Sequence, residues 1–581
     1  MCVFSCAGLS ARGELPQPGQ PWWDQRVAAA VSSSQARSSV RVETLGTSMG
    51  GRSISAVWLG KGAEGGRRVP TVAVVAGLDA RHAVGTRVAV GLVERLIADP
   101  PPELLEQGLV IVTCVNPDGL SLFETAQVRS DEGGNASYRK TARDDADRDR
   151  RIDEDGDVDL NGDGLITQMR VRQPRAGLAR GLTAELVAEP DDPRLLRRAD
   201  RGKGERPEWA LLVEGKDQDG DGLIGEDGPR GVDLDRNFPY HWPEFQDAAG
   251  PTPLSEPESR AIAEWLLEHP QIVTVLVYAP NDNLINIPVN GKMDQTGQIP
   301  VSNGVLDEDK PLYERIAGRF KEITRITGVG GVTRSFDGSL QGWAYAHLGL
   351  ASFVTPVWVR PDLVKTDDKP NDKGKDKDKP ESQADPPARK VVDTDDGKWL
   401  ALSDQRVAAG LAPGFIEWSP FTHPQLGEVE IGGWVPGFRF NPTEPEIPGL
   451  VDQQAGFVGS LLGMLPKLKI EGPHIERLGE QTWRIRVEAV NVGAMPTRLA
   501  MGVRAKRHPP TRWRIDREGT QLLSGSRVQG RDSVEGAGGR LIGEWVVAGR
   551  AGEELKLSLL SPECGDQELV VRLDVLQGER R

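Results

Sequence analysis

Two short stretches place oxygen-bearing side chains at alternate positions. Asp159-Leu160-Asn161-Gly162-Asp163-Gly164-Leu165-Ile166 and Asp217-Gln218-Asp219-Gly220-Asp221-Gly222-Leu223-Ile224 are near copies of each other. Oxygens at positions 1, 3 and 5, a glycine at 6 for the sharp turn and an isoleucine at 8 make the first half of a calcium-binding loop. The twelfth position, which supplies a bidentate carboxylate in a complete loop, holds Arg170 in the first copy and Gly228 in the second. Neighbouring acids (Asp153, Glu154, Asp155, Asp157, Glu226, Asp227) could complete the coordination from elsewhere. Calcium bound through Asp159, Asn161, Asp163, Asp217, Asp219 and Asp221 is one expectation, and a solvated acidic turn is the other. A second pair of metal-capable residues is Asp79 and His82, three positions apart. Histidine is otherwise scarce: the remaining six are His241, His269, His347, His423, His474 and His508.

The elements that position these residues can be read from the apolar pattern. Thr71–Gly77 (TVAVVAG), Gly108–Val115 (GLVIVTCV), Ile272–Ala279 (IVTVLVYA) and Ala351–Trp358 (ASFVTPVW) are short β-branched runs that predict buried strands. Helical spacing over Gly85–Ala98 and Leu312–Thr327 predicts helices, and Ser255-Glu256-Pro257-Glu258 predicts a capping box opening a third helix that ends near Glu268. Apolar strands alternating with helices mean a mostly parallel sheet covered on both faces, that is, an α/β fold. Ligands of such sheets bind at the carboxyl ends of the strands, which points to Asp79–His82, Asn116–Gly119 and Ala279–Asn283. After about Leu465, Trp483–Val492, Arg498–Val503, Gly543–Val547, Leu555–Leu560 and Glu568–Val575 read as short strands of an antiparallel β-sandwich.

With 581 residues the chain is long enough for several domains at roughly 150 residues each. The expected division is an N-terminal segment 1–39, an α/β domain 40–465 and a sandwich 466–581. Two segments interrupt the second of these: an acidic insert at 130–230 and a Lys/Asp/Pro tract at 364–390, whose composition predicts a flexible linker. The net charge of −15 makes the chain a poor binder of nucleic acid or anionic membrane, and no apolar run approaches the ~20 residues of a membrane span. Four cysteines form neither a disulfide framework nor a zinc finger. Met1–Ala11 lacks a basic n-region and is short for a signal sequence, so it is read as an untargeted start.

Gly231–Trp242 (GVDLDRNFPYHW), Asn116-Pro117-Asp118-Gly119, Ser255–Glu258, Asn283–Pro288 (NLINIP) and His423–Trp434 (HPQLGEVEIGGW) together resemble the zinc carboxypeptidase (carboxypeptidase A/B-like) family. The resemblance spans about 40–465 in the family order. It implies a mixed eight-stranded sheet between helices, peptide or protein C-termini as partners, an extracytoplasmic setting and a zinc ion. In the family the zinc is held by His-x-x-Glu and a second His, and a Glu on a late strand is the general base. An Asn-Arg pair there binds the terminal carboxylate. Three protein ligands leave a position open for a water whose pKa falls towards ~7.

Matched residue by residue, His-x-x-Glu is Asp79-Ala80-Arg81-His82, with the two ligand types exchanged. The second His is Ala279, the general base is Pro356, and the Asn-Arg pair is Asp235-Arg236. Asp79 and His82 are then either two polar loop residues or a residual two-ligand site, weak unless Asp282 joins. Arg236 is either paired with Asp233 or Asp235 or keeps a carboxylate pocket. Three functions remain in view. One is a catalytically impaired member that binds peptide C-termini, another an active metallocarboxypeptidase with rearranged ligands, and the third a calcium-stabilised surface binding or adhesion protein.

Overall fold

The structure, a computed structural model, describes residues 21–33, 39–64, 68–124, 158–174, 179, 181–218, 220, 222–224, 231–244, 246, 248–288, 292–294, 301–330, 335–365, 391–518 and 521–574. Most of the Lys/Asp tract, the first part of the acidic insert, Asp219 and Asp221 lie outside the described residues.

Helix α1 (Trp22–Ser33) precedes the hairpin of β1 (Val40–Thr47) and β2 (Ser53–Gly60). Then come β3 (Thr71–Ala76), α2 (Ala83–Ala98), β4 (Gly108–Val112) and α3 (Pro117–Glu124). The acidic insert supplies β5 (Gln168–Arg172), β6 (Leu186–Ala188), β7 (Leu196–Arg198) and β8 (Trp209–Val213). After it follow α4 (Pro257–Glu268), β9 (Ile272–Tyr278), the short pair β10 (Met293–Asp294) and β11 (Val301–Ser302), α5 (Lys310–Thr324), α6 (Leu340–Ala346) and β12 (Ala351–Thr355). Helix α7 (Asp395–Ala408), β13 (Phe415–His423), β14 (Gly427–Trp434) and α8 (Ile447–Met464) complete this part.

The main sheet has the order β1-β2-β4-β3-β9-β12. β4, β3, β9 and β12 are mutually parallel, and β1 and β2 are antiparallel. Every residue of β3, β4 and β12 is buried, as continuous apolar runs covered on both faces require. Among the described residues this sheet has six strands rather than eight. Because the four central strands are parallel, their carboxyl ends open on one side. The chain leaves β3 towards β4 and returns to β9 on the other flank, so β3 and β9 bound a topological switch point.

A second six-stranded sheet, β13-β14-β5-β8-β6-β7, joins the insert to the HPQLGEVEIGGW segment. Arg170, the twelfth residue of the first acidic loop, lies in β5. Its guanidinium stacks between Trp209 and Trp418, 4.4 and 4.6 Å from their ring centres, and pairs with Glu430 at 2.5 Å. It is thus a sheet residue and not a member of the loop.

The C-terminal part contains β15 (Leu468–Gly479), β16 (Thr482–Asn491), α9 (Ala500–Ala505), β17 (Thr511–Ile515), β18 (Leu522–Ser524), β19 (Val528–Arg531), β20 (Gly539–Ala548), β21 (Glu554–Leu560) and β22 (Gln567–Arg572). They form two antiparallel four-stranded sheets, β15-β16-β20-β18 and β19-β17-β21-β22, around Trp483, Trp513 and Trp545. This is the expected sandwich, with one correction. Arg498–Val503 is not a strand: α9 begins at Ala500 and packs Met501 onto the core of the main sheet. The carboxylate of Asp309 accepts the Ala500 and Met501 amides at 2.7 and 3.1 Å, capping this helix from across the interface.

Candidate functional site

Turns after β3, β9 and β12 bring the anticipated residues to one end of the sheet. Asp79 and His82 follow β3, Ala279–Asn283 follow β9 and Pro356 follows β12. Asp79 and His82 are 2% and 1% exposed, buried in the turn that follows β3. The Asp79 carboxylate is engaged by its near neighbour Arg81. The backbone amide of Arg81 donates to Oδ1 at 3.0 Å, Nε to Oδ1 at 3.2 Å and Nη2 to Oδ2 at 3.1 Å. Arg81 is itself 2% exposed, and its guanidinium lies 5.4 Å from the centre of the Phe440 ring. Asn441 fastens the loop from above: its amide donates to the Arg81 carbonyl at 2.7 Å and accepts from the Val84 amide at 2.9 Å.

His82 points Nε2 at the carbonyl of Pro356, 2.8 Å away. A carbonyl only accepts, so Nε2 carries the proton and its lone pair is not available to a metal. The carbonyl is aimed by a tight turn in which the Trp358 amide donates to Pro356 at 2.6 Å and Val357 has φ +64°. A buried β-branched residue in the left-handed region is a strained backbone position. Ala279 presents a methyl group, and its amide donates to the Thr355 carbonyl at 3.2 Å. Asp282 spends its carboxylate on the amides of Leu284, Ile285 and Asn286 at 2.8–3.0 Å, and burial pushes its pKa up despite them. Among the described residues no three His, Cys, Asp or Glu side chains gather to hold a metal. With both Asp79 oxygens taken up by Arg81 and His82 protonated on Nε2, so that only its Nδ1 could ligate, this end supplies at most one nitrogen donor where a catalytic zinc takes three protein ligands, and the residues do not fit the ion.

The Asp235-Arg236 pair sits on a short 3-10 turn, Leu234–Arg236, whose first amides are capped by Asp233. Asp235 accepts the Leu340 amide at 3.0 Å and so fixes the start of α6. Arg236 donates through Nη2 to Gln246 at 2.7 Å, a partner the sequence did not suggest. Gly338, with φ +74°, packs so closely that a Cβ there would lie 2.2 Å from the Arg236 carbonyl oxygen. Asn237 anchors the turn by bonding Ala249, Thr252, Ser255 and Ser259. This corrects the reading of Ser255–Glu258 as a capping box. The helix starts at Pro257, Ser255 bonds Asn237, and Glu258 accepts the Met49 amide at 2.8 Å. The four residues tie α4 to the Arg236 turn and to the β1–β2 hairpin. Pro117–Gly119 form the first turn of α3, and the Asn116 side chain accepts the Gly119 amide at 2.8 Å.

Beside the Arg236 turn lies a cavity of about 500 Å³ lined by Tyr240, Asn283, Tyr313, Gln341, Tyr345 and Ser352, among others. No sequence signal singled out Gln341; its cue is a polar residue in the otherwise apolar run of α6. Burial, with help from Asp337, pushes the Tyr240 phenol up to about 12, so it remains a neutral hydroxyl at ordinary pH.

In the first acidic loop the Asp159 carboxylate accepts the amides of Gly162 and Gly164 at 2.7 and 2.9 Å. Asp217 does the same with Gly220 and Gly222 at 2.6 and 3.1 Å. Asn161 and Asp163 bond each other at 3.0 Å. Glu214, fully buried just past the end of β8, reaches the amides of Leu160, Asn161 and Thr167 and organises the first loop.

Comparison with known proteins adds the following. The zinc carboxypeptidase family profile matches residues 29–164 and 198–361, and a domain family of unknown function matches 467–572. A search of curated proteins returns no match. Among solved structures the chain is similar to a carboxypeptidase A from Helicoverpa armigera, at 15% identity over 57% of this chain and 62% of the other, with a TM-score of 0.31. Thrombin activatable fibrinolysis inhibitor gives 13% identity, 56% and 63% coverage and a TM-score of 0.30. Murein-tripeptide amidase MpaA from Escherichia coli O157 gives 17%, 54% and 81%, with 0.23. The chain spans about three-fifths of the length of the first two.

Proposed function

The chain belongs to the zinc carboxypeptidase family, and within it we propose a protein that binds the C-terminal end of a peptide without cleaving it. The observation that carries this reading is the internal pairing at the catalytic end: Asp79 with Arg81, and His82 with the Pro356 carbonyl. Hydrolysis in the family draws on a metal-bound water and a carboxylate base, the latter worth ~10²–10⁴-fold. Pro356 cannot take a proton, and the methyl group of Ala279 cannot ligate.

The recognition side supports the same reading. Arg236 sits on a turn held by Asn237 and joined through Asp235 to α6, whose Gln341 lines the cavity, and its fork suits a planar carboxylate without any metal. The two acidic loops are proposed as calcium sites that stiffen the insert, with 40–465 as the carboxypeptidase-like unit and 466–581 as a sandwich that binds or shields.

The test is a peptide-library digest read by mass spectrometry, with and without added Zn²⁺, alongside binding of the same peptides. No C-terminal residue should be released, and peptides with a free terminus should bind at least tenfold more tightly than their amidated counterparts. That preference should vanish in Arg236→Met. Turnover that Asp79→Ala and His82→Ala abolish would instead establish an active enzyme with rearranged ligands.

A further inference from the structure

The cavity beside α6 contains polar groups that the fold leaves unsatisfied. Gln341 is 2% exposed, and neither the oxygen nor the nitrogen of its amide has a hydrogen-bond partner among the described residues. The Ser352 hydroxyl, 1% exposed in β12, is in the same condition. Both residues line the cavity, whose volume of about 500 Å³ suits a side chain or small molecule. Buried polar groups in folded proteins are nearly always paired, so an unpaired amide facing a cavity marks a place where a partner is missing.

The position of Gln341 is also fixed. Ser339 caps α6 through the Gly342 amide, and Asp235 takes the Leu340 amide, so the residues on either side of Gln341 are held. The hydroxyls of Tyr313 and Tyr345 are already used: Tyr313 bonds Ser352 backbone groups, and Tyr345 donates to Asp309. They supply aromatic walls rather than recognition.

We propose that this cavity takes an uncharged side chain ending in a carboxamide, glutamine or asparagine, and that Gln341 is the residue that selects it. The inference rests on the reading that the site holds a peptide terminus. A primary amide offers one acceptor and a two-hydrogen donor, so a second carboxamide is its own complement and closes two antiparallel bonds. A carboxylate would leave the Gln341 oxygen facing negative charge. An ammonium group would leave the Gln341 nitrogen unpaired, and among the described lining residues its one acidic partner would be Asp337 at the exposed rim. An aliphatic side chain would seal the amide in without a partner, and sites that hydrogen-bond their ligand reject such analogues strongly.

The experiment is calorimetric titration of the full chain with N-acetyl-glutamine, -asparagine, -glutamate, -lysine and -leucine, and with their N′-methylamides, which lack the carboxylate. The expected result is at least tenfold tighter binding of the two carboxamides within the acid series, lost in Gln341→Leu and reversed towards lysine in Gln341→Glu. Equal binding across the acids, or a preference that survives Gln341→Leu, overturns the pocket assignment while leaving the C-terminus reading intact. Carboxamide selectivity that is the same in acids and methylamides, and unmoved by Arg236→Met, keeps the pocket and removes the C-terminus reading. Absence of binding by any compound overturns both. The panel on the unaltered chain decides even if a variant fails to fold.

Discussion

If Asp79 is the partner of Arg81 and not a metal ligand, removing either side chain alone should cost far more than removing both. The two side chains are 1% and 3% exposed, and three hydrogen bonds join the residues. Breaking a buried pair by deleting one partner leaves an uncompensated charge, worth about 3–5 kcal/mol, whereas replacing both partners with neutral groups is often close to neutral. Arg81→Met should therefore destabilise the main sheet by about 3–5 kcal/mol, with a further contribution from the lost stacking on Phe440. Asp79→Asn should cost a similar amount, and the double variant should recover at least about 2 kcal/mol of the summed loss. The assay is amide hydrogen exchange in β3 and β4, which reports this sheet separately from the sandwich. A 3–5 kcal/mol loss accelerates the slowest amides by about two to four orders of magnitude. Additive single losses would refute the pairing. So would Zn²⁺ protecting the unaltered chain but not Asp79→Asn, because binding only to the folded state must stabilise it.

Three further outcomes are expected. His508 is pulled from 6.5 down to about 4 by burial and by the guanidinium groups of Arg507 and Arg498, so the unfolded chain binds the extra proton between those values; stability should fall as pH drops through that window, and the slope should flatten in His508→Gln. Gly349 has φ +69°, and a Cβ there would lie 2.1 Å from the Gly502 Cα, so Gly349→Ala should pry α9 from the main sheet and deprotect the α9 amides in hydrogen exchange; unchanged exchange would refute the close approach. Ca²⁺ should raise the melting temperature of the full chain, and Asp159→Ala, which removes the acceptor for the Gly162 and Gly164 amides, should reduce that rise; a melting curve indifferent to chelator would remove the calcium reading.

The central strands were legible because burial on both faces writes itself as continuous β-branched runs, as in β3 and β4. β1 was not legible: its mixed exposure and polar residues (VRVETLGT) give neither an apolar run nor a clean alternation. The insert strands escaped for a different reason. Gln168–Arg172 and Leu196–Arg198 carry arginines whose place in a sheet depends on distant partners, such as Trp418 for Arg170. α9 read as a strand because a six-residue helix shows too little periodicity, and its cap comes from Asp309, about 190 residues earlier. At the site, parallel topology made the convergence of Asp79, His82, Ala279 and Pro356 foreseeable. The Arg81 pairing was not foreseeable, because it depends on how one turn folds back, nor was Gln246 as the partner of Arg236, since both nearby aspartates are spent on backbone amides.

The two halves of the site differ in how their polar groups are satisfied. At the Asp79–His82 end the Asp79 carboxylate and the His82 Nε2 proton have internal partners, and the fold accepts a strained turn at Val357, a conformation costing of order 1–3 kcal/mol, to keep the Pro356 carbonyl on His82. A buried imidazole N–H left without an acceptor would cost about the same, so the strain is offset locally and needs no bound metal to justify it. At the Gln341 end the reverse holds: the amide and the Ser352 hydroxyl are buried and unsatisfied beside open space, although α6 and β12 are otherwise tightly held. Loss of catalytic residues without any remaining use would leave no reason for that open side to stay polar, since apolar residues there would stabilise the fold. A terminus bound through Arg236 with its side chain against Gln341 accounts for both halves, and it makes Gln341→Leu a variant that should lose ligand while gaining stability.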